Sequence, residues 1–401
     1  MARLSSLVSR FLQSLFARGE ACLQTYMDDP WFMLAGPLGR RNRNVALILY
    51  SLFAMGINVA YHKGERGLRV TWIGVVFELD LSARVMKLTI SHKMMKELLT
   101  KLKDWEGAGM IGLRELRSVT GRLSWMAGIL TRTRWAVSIM YGVVAAAERD
   151  LVTGAEQERA AKRAKDQRPK EGLVAVSRFE LPRAWLAHLL TNADHLLLRA
   201  EPLQLAPPEL AIVTDACPLG IGAILGRVDI QQGMIEPWVA LEIPLKEEDA
   251  RWLGVEWGQA SSQGAMEAWA VLLAFRFWKA KFTKAPILIR SDSTVALAMA
   301  AKLSSPSPVI NWVGAELALK LELLGIPRVV AHHLPGQLNV EADWLSRPHS
   351  RDKAVPVKLQ KVKIHRFDVD ARRRSELPPP GVAPRLWGLQ SQETLRAFES
   401  L

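Results

Sequence analysis

Four acidic residues in the second half of the chain have the types and spacing that divalent-metal chemistry on a phosphodiester requires. They are Asp215, Glu267, Asp292 and Asp343. Hydrolysis of a phosphodiester with divalent cations needs several carboxylates from separate elements, so that two hard ions lie a few ångströms apart. Taken one at a time, an acid that follows a strand is more often a helix cap or a turn residue. The combination of all four favours a metal site.

The sequence around the first and third acids predicts that each ends a strand. Asp215 closes the apolar run 210–215 and is followed by the Gly-containing run 220–225, so a strand, a turn and a second strand are expected. Asp292 closes the apolar run 287–292 and directly precedes a helical segment. Both carboxylates are therefore expected at strand ends.

The second and fourth acids are expected on helices. Glu267 lies inside the apolar helical stretch 266–275, where an unpaired carboxylate costs several kcal/mol. A structural role explains such a residue poorly, which favours a functional one. Asp343 lies in the string 333–347, ten residues after His333.

This succession of a strand acid, a helix acid, a strand acid and a late helix acid resembles the ribonuclease H domain of a retroelement, over roughly 208–348. The resemblance implies a mixed five-stranded sheet with flanking helices, and two Mg²⁺ (or Mn²⁺) ions held by the four acids. The implied reaction is hydrolysis of RNA in RNA–DNA hybrids. In the string His-x-Pro-Gly-x-x-Asn-x-x-Ala-Asp-x-Leu-Ser-Arg, His333 would help product departure or proton transfer. Asn339 would contact substrate or position the loop of His333.

The segment between the first two acids is longer than the resemblance implies. Glu267 follows Asp215 by 52 residues, and the excess lies in 227–263. A third strand is expected from Met234, and an elaborated loop over 247–264.

Two further acids lie near the N-terminus. Tyr26-Met-Asp-Asp29 resembles the Tyr-x-Asp-Asp box of reverse transcriptases, in which adjacent acids in the turn of a β-hairpin present carboxylates to metal ions. An Asp-Asp-Pro run is also a good turn or helix cap on its own. The resemblance implies that Asp28 and Asp29 are catalytic metal ligands.

The residues after this box extend the resemblance. A predicted helix over 45–55 and a Gly-containing strand over 56–63 lead to Lys63, and Trp72-Ile-Gly74 resembles the hairpin that holds the primer. Lys63, Trp72 and Gly74 are thereby implied to bind substrate.

A polymerase palm also requires a third carboxylate, on a strand well upstream of the box. Only 25 residues precede Tyr26, and none of them is Asp. The fingers and the first half of the palm are therefore expected to be missing from this sequence, and DNA synthesis by the chain alone is expected to be lost. The missing polymerase half or other Pol domains are the implied partners.

The predicted organisation is multidomain, of α/β and α+β class. A partial reverse transcriptase palm occupies 1–90, and helices of a thumb and connection occupy 91–205. The ribonuclease H-like domain follows at 206–350, and a basic, Pro-containing, flexible tail at 351–401.

Composition points to a polyanionic partner in a reducing compartment. The formal net charge is +13 and the pI is near 9.9, which favours attraction to nucleic acid. Most of the 14 Trp are expected to fill cores, and a few to stack on bases. Only Cys22 and Cys217 are present, without a metal-binding or disulfide pattern. The cytoplasm or the nucleus is the expected location.

Two features allow alternative interpretations that involve targeting or membranes. The Arg-bearing segment 1–18 has no acid and matches a transit peptide superficially. Residues 45–61 form an uncharged run of 17, at the bottom of the membrane-spanning range. The palm resemblance instead predicts a buried helix plus strand there, and no membrane partner.

The leading hypothesis is a truncated retroelement Pol fragment, gypsy-like or of the tyrosine-recombinase (DIRS-like) type, with ribonuclease H activity. The rival hypothesis is a catalytically inactive remnant that binds nucleic acid through its basic helices, Trp residues and tail. Cleavage of an RNA–DNA hybrid separates the two.

Overall fold

The computed structural model describes most of the chain, and contacts divide it into two compact units. The described ranges are 2–26, 29–161, 172–192, 198–203, 206–229, 231–348 and 354–366. Unit 1 comprises Met1–Met95 with Leu198–Leu203, and unit 2 comprises Lys96–Leu197 with Gln204–Leu401. The predicted domain boundaries after residues 90, 205 and 350 stay predictions.

Helices and strands alternate along both units. The helices are α1 (Ala2–Ser14), α2 (Leu38–Ala54), α3 (His92–Asp104), α4 (Leu113–Ile129), α5 (Arg134–Ala161), α6 (Glu180–Asn192), α7 (Glu247–Leu253), α8 (Gln263–Phe277), α9 (Thr294–Lys302), α10 (Pro308–Leu323) and α11 (Val340–Ser346). The strands are β1 (Ala21–Tyr26), β2 (Asp29–Leu34), β3 (Arg69–Trp72), β4 (Val75–Asp80), β5 (Val85–Ile90), β6 (Met110–Gly112), β7 (Leu173–Ala175), β8 (Leu198–Pro202), β9 (Leu210–Cys217), β10 (Gly220–Asp229), β11 (Met234–Pro244), β12 (Ile287–Ser291), β13 (Val329–His333) and β14 (Lys363–Arg366).

Unit 1 contains two antiparallel sheets. One is the hairpin β1–β2, and the other has the strand order β3-β4-β5-β8. Leu12 of α1 and Ile48 and Leu52 of α2 form a small buried cluster with partly buried residues of β1 and β2. The N-terminal helix is therefore part of the core of this unit.

For residues 45–61 the sequence predicts a buried helix followed by a strand, and the structure differs on both points. Helix α2 covers the first part of this range. It buries one face only, because Tyr50 and Phe53 are 70% and 73% exposed. Gly56, at φ 72°, ends the helix: its N–H donates to Phe53 O, and the next N–H donates to Leu52 O. This left-handed glycine stops the helix and opens no strand, and a 3₁₀ turn follows at Tyr61–Lys63. In the described residues, no helix combines the length and apolar character needed to cross a bilayer.

Unit 2 is built on a mixed sheet with the strand order β13-β12-β9-β10-β11-β14. Strands β9, β10 and β11 are antiparallel to one another, whereas β12 and β13 run parallel to β9. These five strands form the mixed sheet that the sequence predicts. A sixth strand, β14, pairs in parallel with β11 and comes from the stretch predicted to be a flexible tail.

Helices cover both faces of this sheet. Val213, Ile224 and Ala240 pack with Ala342 and Leu345 of α11 on one face. Side chains of successive strand residues point to opposite faces of the sheet. The residues next to these three in β9, β10 and β11 are also buried, on the face that α8 covers. Part of the loop predicted over 247–264 is helical, since α7 forms there.

The helical segment before the sheet belongs to the same unit. Arg132, in the turn before α5, donates to Ile326 O at 2.6 Å and pairs with Glu322 at 2.9 Å. Asn311 of α10 donates to Trp135 O at 3.0 Å. These hydrogen bonds and the ion pair join the α5 segment to the α10 segment, so the two segments stabilise each other.

Candidate active site at the carboxyl ends of the sheet

Three of the predicted site residues lie at one edge of the unit 2 sheet. Asp215 is near the end of β9, Asp292 directly follows β12, and His333 ends β13. These strands are parallel neighbours, and Ser291 is paired with His333. Their carboxyl ends therefore meet at the same edge, which is where open α/β sheets carry functional groups. His333 is exposed there.

Helix α8 brings Glu267 to the same edge. In its first turn, the Gln263 side chain donates both to Ala216 O, at the end of β9, and to Glu267 Oε1. Burial raises the pKa of Glu267, hydrogen bonds from Ser293 and Gln263 lower it, and the charge of Asp292 raises it. The helix acid and the two strand-end acids thus share one electrostatic environment.

Helix α11 carries Asp343 on the face of the sheet opposite to α8. It can pack closely there because residue 222 is a glycine. Gly222 of β10 is paired with Asp215. A Cβ at Gly222 would overlap Ala342 O and lie 2.7 Å from Leu345 Cβ. The Gly-x-Gly pattern of β10 thus permits the close approach of α11 to the sheet, which explains it in physical terms.

Asp215 is the electrostatic centre of the cluster. Ser346, fully buried on α11, donates to Asp215 Oδ2 at 2.5 Å. The pKa of Asp215 is raised to about 7, chiefly by burial and also by the charges of Asp292, Asp343 and Glu267, against the lowering effect of this hydrogen bond. The other three predicted acids therefore lie close enough to act on Asp215.

Asn339 holds the turn before α11 in place. It is 1% exposed and its Nδ2 donates to Thr214 O at 3.1 Å and to Asp292 Oδ1 at 3.5 Å. Its Oδ1 accepts no hydrogen bond from the described residues. Two roles are predicted for Asn339: contact with substrate, or positioning of the loop of His333. Its burial favours the positioning role.

Arg347 forms an ion pair with Asp343. Its Nε and Nη2 lie 2.8 and 2.6 Å from Asp343 Oδ1. The hydrogen bond to Asp343 raises the pKa of Arg347, burial lowers it, and the charges of Asp343, Cys217 and Asp215 raise it. A charge-assisted pair of this kind offsets part of the repulsion within the cluster.

The carboxylates of the four acids suit hard divalent cations, but three of them form hydrogen bonds with other side chains of the protein. Carboxylate oxygens are the ligands that Mg²⁺ and Mn²⁺ prefer. Among the side chains that the structure describes, no three His, Cys, Asp or Glu residues converge on one ion position. Asp215 is bonded to Ser346, Glu267 to Gln263 and Asp343 to Arg347. The residues fit the ions by chemistry and location, and these side chains would have to rotate to bind them.

The raised pKa of Asp215 predicts a pH-dependent stability in the absence of metal. The pKa of Asp215 is about 7 in the folded protein, against an ordinary value of 3.8. As pH rises through this range, the raised pKa lowers the stability of the fold. Asp215→Asn removes this effect. We expect it to increase the free energy of unfolding at pH 8 by up to about 4 kcal/mol, and much less at pH 4.5. Urea denaturation in EDTA measures this, and an equal change at both pH values would contradict it.

The N-terminal acids lie in unit 1, and only one of them is described. Tyr26 is paired with Asp29 across β1 and β2, as the predicted hairpin requires, and Asp28 lies outside the described residues. Trp72 Nε1 donates to Asp29 O at 3.1 Å. The rings of Trp31 and Phe77 pack at a tilt, with centroids 4.9 Å apart, and both lie 6.1 Å from the ring of Trp72. The structure thus joins the two predicted polymerase hairpins.

The other two predicted substrate-binding residues of unit 1 differ in setting. Gly74 follows Ile73 in the β3–β4 turn, at φ 78° and 49°, which is the left-handed pair of a tight hairpin. Lys63 is exposed in its 3₁₀ turn, and no described residue forms an ion pair with it. The roles of Lys63, Trp72 and Gly74 stay predictions.

Four side chains that form hydrogen bonds with the acids were not among the predicted site residues: Gln263, Ser293, Ser346 and Arg347. Helical spacing could have indicated two of them, since Gln263 and Arg347 are four residues from Glu267 and Asp343. Ser346 gave no local signal, because its partner Asp215 is 131 residues away.

Comparisons with known proteins give only distant likenesses. No protein-family model and no curated protein sequence matches this chain. Among solved structures, a ribonuclease H1 isolated from compost is 18% identical and covers 35% of this chain and 93% of its own, with a TM-score of 0.26. Ribonuclease H1 of Halobacterium salinarum is 16% identical and covers 34% and 92%, with a TM-score of 0.24.

A larger solved structure covers more of this chain. The foamy virus protease–reverse transcriptase in complex with double-stranded DNA is 12% identical and covers 83% of this chain, with a TM-score of 0.32. The chain spans about half of that protein, 48% of its length. Because these TM-scores lie below 0.5, the class of this protein rests on its own topology and site. These define a mixed α/β protein with a four-carboxylate cluster at the carboxyl ends of its parallel strands.

Proposed function

We propose that this chain is a reverse transcriptase/ribonuclease H fragment of a retroelement, and that unit 2 hydrolyses the RNA strand of RNA–DNA hybrids. The supporting observation is that four separate elements bring Asp215, Glu267, Asp292 and Asp343 to one edge of one sheet. A structural role would not require four mutually repelling carboxylates there, since repulsion and burial both destabilise the fold. A site for cations does require them.

In this proposal Asp215, Glu267, Asp292 and Asp343 hold two Mg²⁺ or Mn²⁺ ions. Such ions polarise the phosphoryl oxygen, lower the pKa of a bound water and offset charge on the leaving oxygen. The chain's own contribution is position: Asn339 donates a hydrogen bond to Asp292, and Ser346 donates one to Asp215. His333 is exposed at this edge, where its imidazole can transfer a proton to or from the departing product.

The test is cleavage of a labelled RNA–DNA hybrid by the full chain. We expect hydrolysis of the RNA strand with Mg²⁺ or Mn²⁺, none in EDTA, and none of a DNA duplex of the same sequence. Binding of the hybrid without cleavage in either metal would instead support the rival function, a nucleic-acid-binding remnant. The observation that favours the rival is the engagement of Asp343 by Arg347, which competes with a metal ion for the same carboxylate.

Unit 1 fits a partial palm in this proposal. The hairpin of Asp29 and the Trp72 hairpin would supply two of its parts. The gypsy-like or DIRS-like origin of the element stays part of this proposal.

A further inference from the structure

A cluster of cations and aromatic rings lies on unit 2 away from the four acids. Trp238 of β11 is 41% exposed. Lys281 Nζ lies 4.4 Å from the centroid of its ring, and the Arg227 guanidinium lies 5.4 Å from it. Both distances are within the range of cation–π attraction. The indole therefore holds two long, otherwise flexible cationic side chains in place.

The cluster continues onto the edge strand β14. The His365 ring lies 5.3 Å from that of Phe277, at the end of α8. Burial lowers the pKa of His365, and the positive charges of Lys363 and Lys281 lower it further. Those two lysines therefore lie close to the imidazole, and the positive charge extends from β10 across to β14.

In the part of the chain that the structure describes, neither Arg227 nor Lys281 forms an ion pair with a carboxylate, although Glu236 is opposite Arg227 in the strand register. Elsewhere on the protein, exposed Arg and Lys residues commonly do, as Arg251 does with Glu247. Ordered, unpaired cations next to exposed aromatic rings have the chemistry that recognises a sugar–phosphate strand.

The cluster lies at the far end of α8 from the site. Phe277 is ten residues beyond Glu267 on that helix, which is about 15 Å along its axis. One strand of a duplex presents a phosphate every ~3.4 Å, so this distance corresponds to about four nucleotides. The cluster is therefore a separate surface, within reach of a strand that also contacts the acids.

We infer that Arg227, Lys281 and Lys363, organised by Trp238 and His365, form a second binding surface for the phosphodiester backbone of a nucleic acid. The inference rests on the proposed nucleic-acid partner and is independent of hydrolysis. The surface would strengthen binding of any sequence, because its contacts are with phosphates and none is with a base edge.

The test is the salt dependence of binding, measured by fluorescence anisotropy with a labelled hybrid of two helical turns in EDTA, where no cleavage occurs. For the Arg227→Gln/Lys281→Gln double variant, we expect the slope of log Kd against log [KCl] to fall by about 2. Its Kd at physiological salt should rise roughly tenfold. Trp238→Ala keeps both charges and should weaken binding by roughly threefold without changing the slope.

The matched control is Lys302→Gln/Arg328→Gln, which removes the same charge from exposed positions elsewhere on unit 2. An equal fall in slope for the control would overturn the inference, and so would an unchanged slope for Arg227→Gln/Lys281→Gln. Competition by polyglutamate as effective as that by single-stranded RNA would also overturn it, since the surface would then bind any polyanion. Thermal melting confirms that the variants fold. Binding that behaves as expected in a protein that cleaves nothing would support this surface and refute the nuclease proposal.

Discussion

Asp292→Asn is expected to lower hydrolysis of the RNA–DNA hybrid by about a thousandfold or more. Asn keeps the shape of the side chain and an oxygen that can accept the hydrogen bond of Asn339, so the local fold should be retained. It removes the negative charge that a divalent ion requires, and loss of one metal ligand costs several kcal/mol of transition-state stabilisation. The measurement is the single-turnover cleavage rate at saturating Mg²⁺.

The control for this variant is Asp104→Asn, an exposed acid at the end of α3 in the same unit. It should cleave at the wild-type rate. Both variants should bind the hybrid in EDTA as the wild type does, because the acids repel phosphates and do not hold them unaided. Undiminished cleavage by Asp292→Asn would remove this residue from the mechanism, and loss of hybrid binding in the same variant would indicate a damaged fold.

Periodicity and strand-end position were sufficient to predict the elements that carry the four acids. Apolar runs of strand length end at Asp215 and Asp292, and an apolar helical stretch surrounds Glu267. Each of these patterns is local, so each was visible in the sequence. The prediction that the acids share one site followed from the resemblance to ribonuclease H and from the need of two divalent ions for several carboxylates.

The features that sequence did not predict depend on distant partners. Strand β14 has only four residues and forms because the edge of β11 is available to it, which its own sequence does not reveal. The buried donor Ser346 lies next to Asp215 only after α11 has docked. In unit 1, Gly56 was compatible with either a helix end or a strand, and the Schellman hydrogen bonds decided for the helix end.

Gly222→Ala is expected to lower hydrolysis by about a hundredfold without changing any acid. The added Cβ would overlap the Ala342 carbonyl and lie 2.7 Å from Leu345 Cβ and from the Ser346 N–H nitrogen. These are backbone and near-backbone atoms of α11, so the helix must move away from the sheet. Asp343 and Ser346 move with it, and a displacement of about 1 Å at a catalytic group can cost a hundredfold in rate. Overpacking should also reduce stability by roughly 1–3 kcal/mol.

The matched control is Gly121→Ala in α4, where a new Cβ meets no atom within 4 Å. It should leave cleavage unchanged and stabilise the protein by roughly 0.5–1 kcal/mol through helix propensity. If Gly222→Ala fails to fold, Ser346→Ala tests the same arrangement with a smaller change, because it removes only the Ser346 hydroxyl and its hydrogen bonds to Asp215 and to Asp343 O. Full cleavage by a folded Gly222→Ala would show that the site tolerates a displaced α11. The close docking of that helix would then serve the stability of the fold and not the placement of Asp343.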